Sequence, residues 1–188
     1  MLPHEMTHSW NGKYRRPAGL ATPDFHEPMK GELLWVYEGL ADYLGIVLTA
    51  RSGLWTSNTF REYLAFNAAL LESQAGRQWR PLARYMARPE GAARRWGTDF
   101  YEEGDLIWLE ADVLIRQRTQ GRHSLEDFCR KFLGRENSPP KVVPYAWKTC
   151  LRRWAKLQRT IGANSFGHGS MSAIRARRWA ASKVQAGS

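Results

Sequence analysis

The sequence predicts a mainly α-helical chain, and three observations carry that reading. Apolar residues recur at helical spacing in three long stretches: from about Glu32 to Arg51, from Thr56 or Ser57 to about Gln74, and from about Tyr101 to Thr119. No segment shows the apolar–polar alternation of a half-buried strand, and no internal repeat is present. Of the 188 residues, 43% are hydrophobic, enough for one domain with a core.

The elements follow in order. A first helix begins near His4 and ends near Gly12. The segment holding Pro17, Pro23 and Pro28 reads as an irregular loop, because proline interrupts backbone hydrogen bonding. The second helix, from about Glu32, stops where Gly53 supplies a C-terminal signal, and the third follows from Thr56 or Ser57. Residues 77–98 are arginine-rich and broken by Pro81 and Pro89. A fourth helix stops at Gly121, and Ser124 with Asp127 three residues later caps a short fifth one that ends before Gly134.

The first helix carries the chemistry. In His4-Glu5-Met6-Thr7-His8 the histidines are four residues apart, so both imidazoles lie on one helix face within reach of a single zinc ion. Glu5 lies about 100° round the helix from His4, where it can address a water beside the metal without being a ligand. The plainer alternative is an amphipathic helix with surface histidines.

The surroundings of the motif add to it. His4 to Pro17 reads His-Glu-Met-Thr-His-Ser-Trp-Asn-Gly-Lys-Tyr-Arg-Arg-Pro. Later come Leu33-Leu34-Trp35-Val36-Tyr37-Glu38-Gly39-Leu40 and Asp99-Phe100-Tyr101-Glu102-Glu103-Gly104-Asp105-Leu106-Ile107-Trp108-Leu109. These blocks, in this order, resemble the glycyl-aminopeptidase family of zinc metallopeptidases over about residues 1–145. The resemblance implies the helical C-terminal part of a thermolysin-like catalytic domain, Zn2+ as cofactor, a glutamate as third ligand and often a PDZ domain downstream. It also implies peptide substrates with small N-terminal residues, glycine or alanine. The β-rich lobe and glycine-rich substrate segment that such domains carry before the motif are not in the chain, so a fragment is expected.

Two glutamates compete as third ligand. Glu27 precedes Pro28, which disfavours helix at Glu27. Glu38 stands in a segment that reads as helix and in the family's Glu-Gly context, so Glu38 is the choice. The expected set is therefore His4, His8 and Glu38 on zinc, with Glu5 as general base. Tyr101 is the candidate donor to the developing oxyanion, because its Tyr-Glu-Glu-Gly setting is similar to the segment supplying that tyrosine in more distant relatives. The plainer reading of Tyr101 is a buried tyrosine at a helix start.

The remaining residues are expected to do ordinary work. Lys13, Arg15 and Arg16 read as a solvated basic loop rather than a contact for a substrate carboxylate, His26, His123 and His168 as surface residues, and Trp10, Trp35 and Trp108 as core rather than a binding platform. Asp112 and Arg116 fit an ion pair on one helix face. Cys129 and Cys150 form neither a disulfide framework nor a metal-site spacing. No run of eighteen apolar residues and no leader is visible, so no membrane partner is expected; compartment and oligomeric state are not readable.

The net charge of +10 is not spread evenly. Residues 146–188 hold nine Lys and Arg and no Asp or Glu, leaving the remainder near neutral. Residues 1–145 thus read as a partial catalytic domain and 146–188 as a basic tail, disordered or out of frame. The second possibility ranks first, because the resemblance stops at Pro144-Tyr145, where relatives continue into an acidic helix that a shifted frame could spell. A nucleic-acid-binding arm ranks last. Three functions follow in order: a zinc aminopeptidase, a non-catalytic remnant that still binds zinc, and a basic nucleic-acid-binding protein.

Overall fold

Helices form where the apolar periodicity places them. The computed structural model describes residues 2–73, 100–134 and 139–160. Its helices are α1 (Leu2–Thr7), α2 (Leu34–Arg51), α3 (Ser57–Glu72), α4 (Glu102–Arg118), α5 (Leu125–Phe132) and α6 (Trp147–Thr160). The chain is mainly α, as expected. Two three-residue strands, β1 (Arg15–Pro17) and β2 (Val143–Tyr145), pair in parallel with Arg15 opposite Val143. Three residues are too few to show alternation, which is why no strand was expected.

Helix α2 is the central element, packed by α1, α3 and α4. With the short turn before it, Gly31–Arg51 is long and apolar enough to cross a membrane by length and composition, but half of it is buried inside this fold. Its inner residues Trp35, Val36, Leu40, Tyr43 and Ile46 meet Ile107, Trp108 and Ile115 of α4 and Phe128 and Phe132 of α5. Each such side chain contributes about 1.5–3 kcal/mol by leaving water. Trp108 Nε1 donates to the Trp35 carbonyl at 3.1 Å.

Two close approaches set the geometry around α2. A Cβ on Gly39 would lie 2.6 Å from the Gly104 Cα, so α2 and α4 cross backbone to backbone. A Cβ on Gly45 would lie 3.1 Å from the His4 backbone, so α1 lies directly on α2. Asp112 ties three elements: it accepts from Tyr43 Oη at 3.0 Å and Leu125 N at 2.7 Å, and pairs with Arg116 at 3.1 Å. Ser124 and Asp127 form the expected capping box of α5.

Three expectations need correction. Trp10 is 46% exposed rather than core and lies in the turn after α1, outside the helices that build the core. Arg15 is buried rather than solvated, its guanidinium 5.2 Å from the Phe132 ring and 5.6 Å from the Tyr145 ring, where cation–π attraction offsets part of its desolvation. The chain also continues into α6 at the start of the basic segment: Trp147, Cys150 and Leu151, at positions i, i+3 and i+4, pack on the core. Residues 77–98 and 161–188, with His168, lie outside the described residues.

Candidate metal centre

The first two site residues come from one helix turn. His4 lies on α1 and His8 one turn later, where the helix gives way to a wider turn at Ser9–Tyr14. Their Nε2 atoms are 3.0 Å apart. Glu38, on the second turn of α2, brings Oε2 to 3.4 Å from His4 Nε2 and 3.3 Å from His8 Nε2. Gly45 allows this meeting by letting α1 settle onto α2.

The partners of the other ring nitrogens decide the tautomers. His8 Nδ1 is 3.0 Å from the Asn11 carbonyl oxygen, which can only accept, so the proton sits on Nδ1. His4 Nδ1 donates in the same way to Asp42 Oδ1 at 3.0 Å. In the neutral rings both Nε2 atoms then present lone pairs to each other and to a carboxylate. Three converging acceptors repel one another unless a proton or a metal ion lies between them. The spacing fits a metal ion, because ligand atoms about 2.0–2.1 Å from a tetrahedral ion stand about 3.3–3.4 Å apart. The donor set, two imidazoles and a carboxylate, suits zinc.

Outer contacts hold the three donors in place. Asn11 is fully buried and donates to the Val36 and Tyr37 carbonyls, both at 2.9 Å, while Tyr145 Oη donates to its Oδ1 at 3.3 Å. The turn after α1 is thereby pinned to α2 one residue before Glu38. The Tyr37 ring stacks on His8 at 4.8 Å, and a Cβ on Gly12 would strike that ring at 2.7 Å. Burial alone would lower the His8 pKa, but the Glu38 carboxylate and the Asn11 carbonyl hold its proton and raise it on balance.

The other expected residues divide. Tyr101, at the start of α4, has its ring 6.0 Å from His4 and lies within the electrostatic reach of Glu38. Burial first, then the Glu38 charge, raises the Tyr101 pKa, so the hydroxyl keeps its proton. Glu5 is exposed, yet near enough for its charge to act on His8, Tyr37 and Tyr101. Glu27 is exposed, in a turn whose backbone N–H bonds Asp24 Oδ1, and lies outside the cluster. His26 is exposed, and His123 pairs with Asp127 at 3.3 Å, away from the cluster. Asp42 and Asn11 were missed. Asp42 follows Glu38 by four residues, a helix-face spacing that could have signalled it; Asn11 carries no local signal.

The family model of the M61 glycyl aminopeptidases matches residues 1–107, more than half of the chain and all the residues just described except Asp127, His123 and Tyr145. A comparison with curated proteins finds no match.

Proposed function

Since the chain belongs to the M61 glycyl aminopeptidase family, we propose that it is a zinc-dependent aminopeptidase acting on peptides with small N-terminal residues such as glycine or alanine. The observation that carries the reading is the convergence of His4, His8 and Glu38 as three acceptors at coordination spacing. The preference for small residues rests on the family alone.

His4 and His8 would hold Zn2+ through Nε2 and Glu38 through Oε2. Zinc, when bound, supplies a Lewis acid that brings the pKa of water to about 7. Glu5 takes the proton of the attacking water and returns it to the leaving amine. The Tyr101 hydroxyl donates to the oxygen on which negative charge develops, and its raised pKa keeps it a donor at neutral pH. Asp42 and the Asn11 carbonyl keep the Nδ1–H tautomers, leaving each Nε2 free for the metal.

A second reading has one observation behind it. Leu2 and Met6 on the motif helix and Trp10 in the turn after it, four residues apart, are 82%, 55% and 46% exposed. A chain with these side chains open to water could hold zinc without forming a substrate cleft.

One experiment separates the two. Metal content is measured on the purified chain, and glycyl and alanyl anilide hydrolysis is assayed on the same sample. About one zinc per chain, with hydrolysis that Glu5→Gln abolishes while keeping the metal, is the expected result. Zinc without hydrolysis selects the second reading, and no zinc rejects both.

A further inference from the structure

Asn11 is fully buried, and its side-chain amide meets groups from two other elements. The Val36 and Tyr37 carbonyls can only accept, so Nδ2 faces them and Oδ1 faces the Tyr145 hydroxyl at 3.3 Å. Turning the amide over would set Oδ1 against two carbonyl oxygens. The main chain of the same residue faces the metal centre. Asn11 leaves helical geometry (φ −98°, ψ 70°), and its carbonyl points back to His8 Nδ1 at 3.0 Å instead of on to the next turn. What fixes the Asn11 side chain therefore also fixes the carbonyl that orients His8.

Tyr145 is held on every side. It is 1% exposed, ends β2 opposite Pro17 of β1, meets the Phe132 ring edge-on at 4.9 Å and lies 5.6 Å from the Arg15 guanidinium. Strand β1 follows the motif turn directly. Its pairing with β2 is what carries Tyr145, 134 residues along the chain from Asn11, to the motif. A hydroxyl on so confined a ring has one place to donate, and Asn11 Oδ1 occupies it.

We propose that Tyr145 is a positioning residue of the metal centre: its hydroxyl fixes the Asn11 amide, and through it the carbonyl that holds His8 Nδ1–H. The path runs from Tyr145 Oη to Asn11 Oδ1, and from the Asn11 carbonyl to His8. Strand β2, beyond the residues that the family model matches, thus completes the centre. The inference rests on the reading of His8 as a metal ligand.

Three variants of the full chain test it. Tyr145→Phe keeps the ring and removes only the hydroxyl, leaving Asn11 Oδ1 buried without its donor. Tyr43→Phe is the comparison, because it strips a buried hydroxyl from Asp112, outside the donor cluster. Zinc affinity, read by chelator competition, should fall about tenfold in Tyr145→Phe, the lower end of outer-shell effects, and less than about threefold in Tyr43→Phe. The visible absorption of the cobalt-loaded protein should change in Tyr145→Phe alone. In an Asn11→Ala background, Tyr145→Phe should alter zinc affinity less than about twofold, since the partner of the hydroxyl is gone. Wild-type affinity or an unchanged cobalt spectrum in Tyr145→Phe, an equal loss in Tyr43→Phe, or an undiminished loss in the Asn11→Ala background overturns the proposal. If Asn11→Ala does not fold, the other two variants still decide. A wild type that binds no zinc refutes the metal-centre reading instead. Deuterium exchange of the Asn11 side-chain N–H protons in the metal-free chain then tests the hydroxyl separately: it should be faster in Tyr145→Phe than in wild type or Tyr43→Phe, and equal rates overturn the proposal.

Discussion

Glu38 and Glu27 are the same residue type, both downstream of the histidines, and their backbones separate them. Glu27 sits in an exposed turn closed by Asp24 and followed by Pro28, with no helix to aim its side chain. Glu38 is held by α2, which α1 touches at Gly45. Glu38→Ala should therefore lower zinc affinity more than about 100-fold, beyond the range of outer-shell losses. Glu27→Ala should stay within about threefold, and equilibrium dialysis with zinc that gave the reverse order would remove Glu38 from the ligand set. Residues whose work is local were readable at this scale: the histidine spacing, the proline after Glu27, the Ser124 cap. Arg15 was not, because the rings that receive its guanidinium come from more than a hundred residues away.

At the scale of elements, the crossing of α2 and α4 matters most. Gly39→Ala would gain up to about 1 kcal/mol in helix propensity. Its new Cβ, however, would lie 2.6 Å from the Gly104 Cα and 2.9 Å from the Phe100 carbonyl oxygen, and backbone atoms cannot turn aside as a side chain can. Overpacking of this kind costs about 1–3 kcal/mol, so the clash wins and the variant should be net destabilised. Glu38 precedes Gly39, and Tyr101 lies one turn before Gly104, so separating the helices also pulls Tyr101 from Glu38. Urea denaturation measures the stability loss; an unchanged or higher midpoint would mean that α2 and α4 are not in backbone contact. The helices themselves were legible because apolar spacing and caps are local signals. The strand pair was not, and neither was α6, where Trp147, Cys150 and Leu151 at core spacing stand among basic residues.

At the scale of the molecule, the centre would join α1 to the hydrophobic body. Helix α1 has six residues and is held by the packing at Gly45 and by the polar contacts of His4 and Asn11. A ligand that binds only the folded state stabilises it by mass action, about 2.7 kcal/mol at 100 times its Kd. Zinc at that level should raise the melting temperature by roughly 5–10 °C for a chain of this size. EDTA should reverse the rise, and His4→Ala should remove it. A shift that survives His4→Ala would point to zinc binding elsewhere on the chain.

The sequence alone determined what depends on near neighbours: a mainly helical chain, two imidazoles on one face, a glutamate in a helix with family context, and a tyrosine at a helix start. Helical periodicity and capping repeat within a few residues, so they can be read without knowing what packs against them. The tertiary structure decided which buried polar groups meet. Asp42 serves His4 because α1 lies on α2, and α4 lies against α2 because two glycines let the helices touch. Asn11 spans from the motif turn to the carbonyls of Val36 and Tyr37 and to the Tyr145 hydroxyl. These partners are 25 to 134 residues apart in the chain, and a buried polar group is satisfied by whatever the helix crossings bring to it.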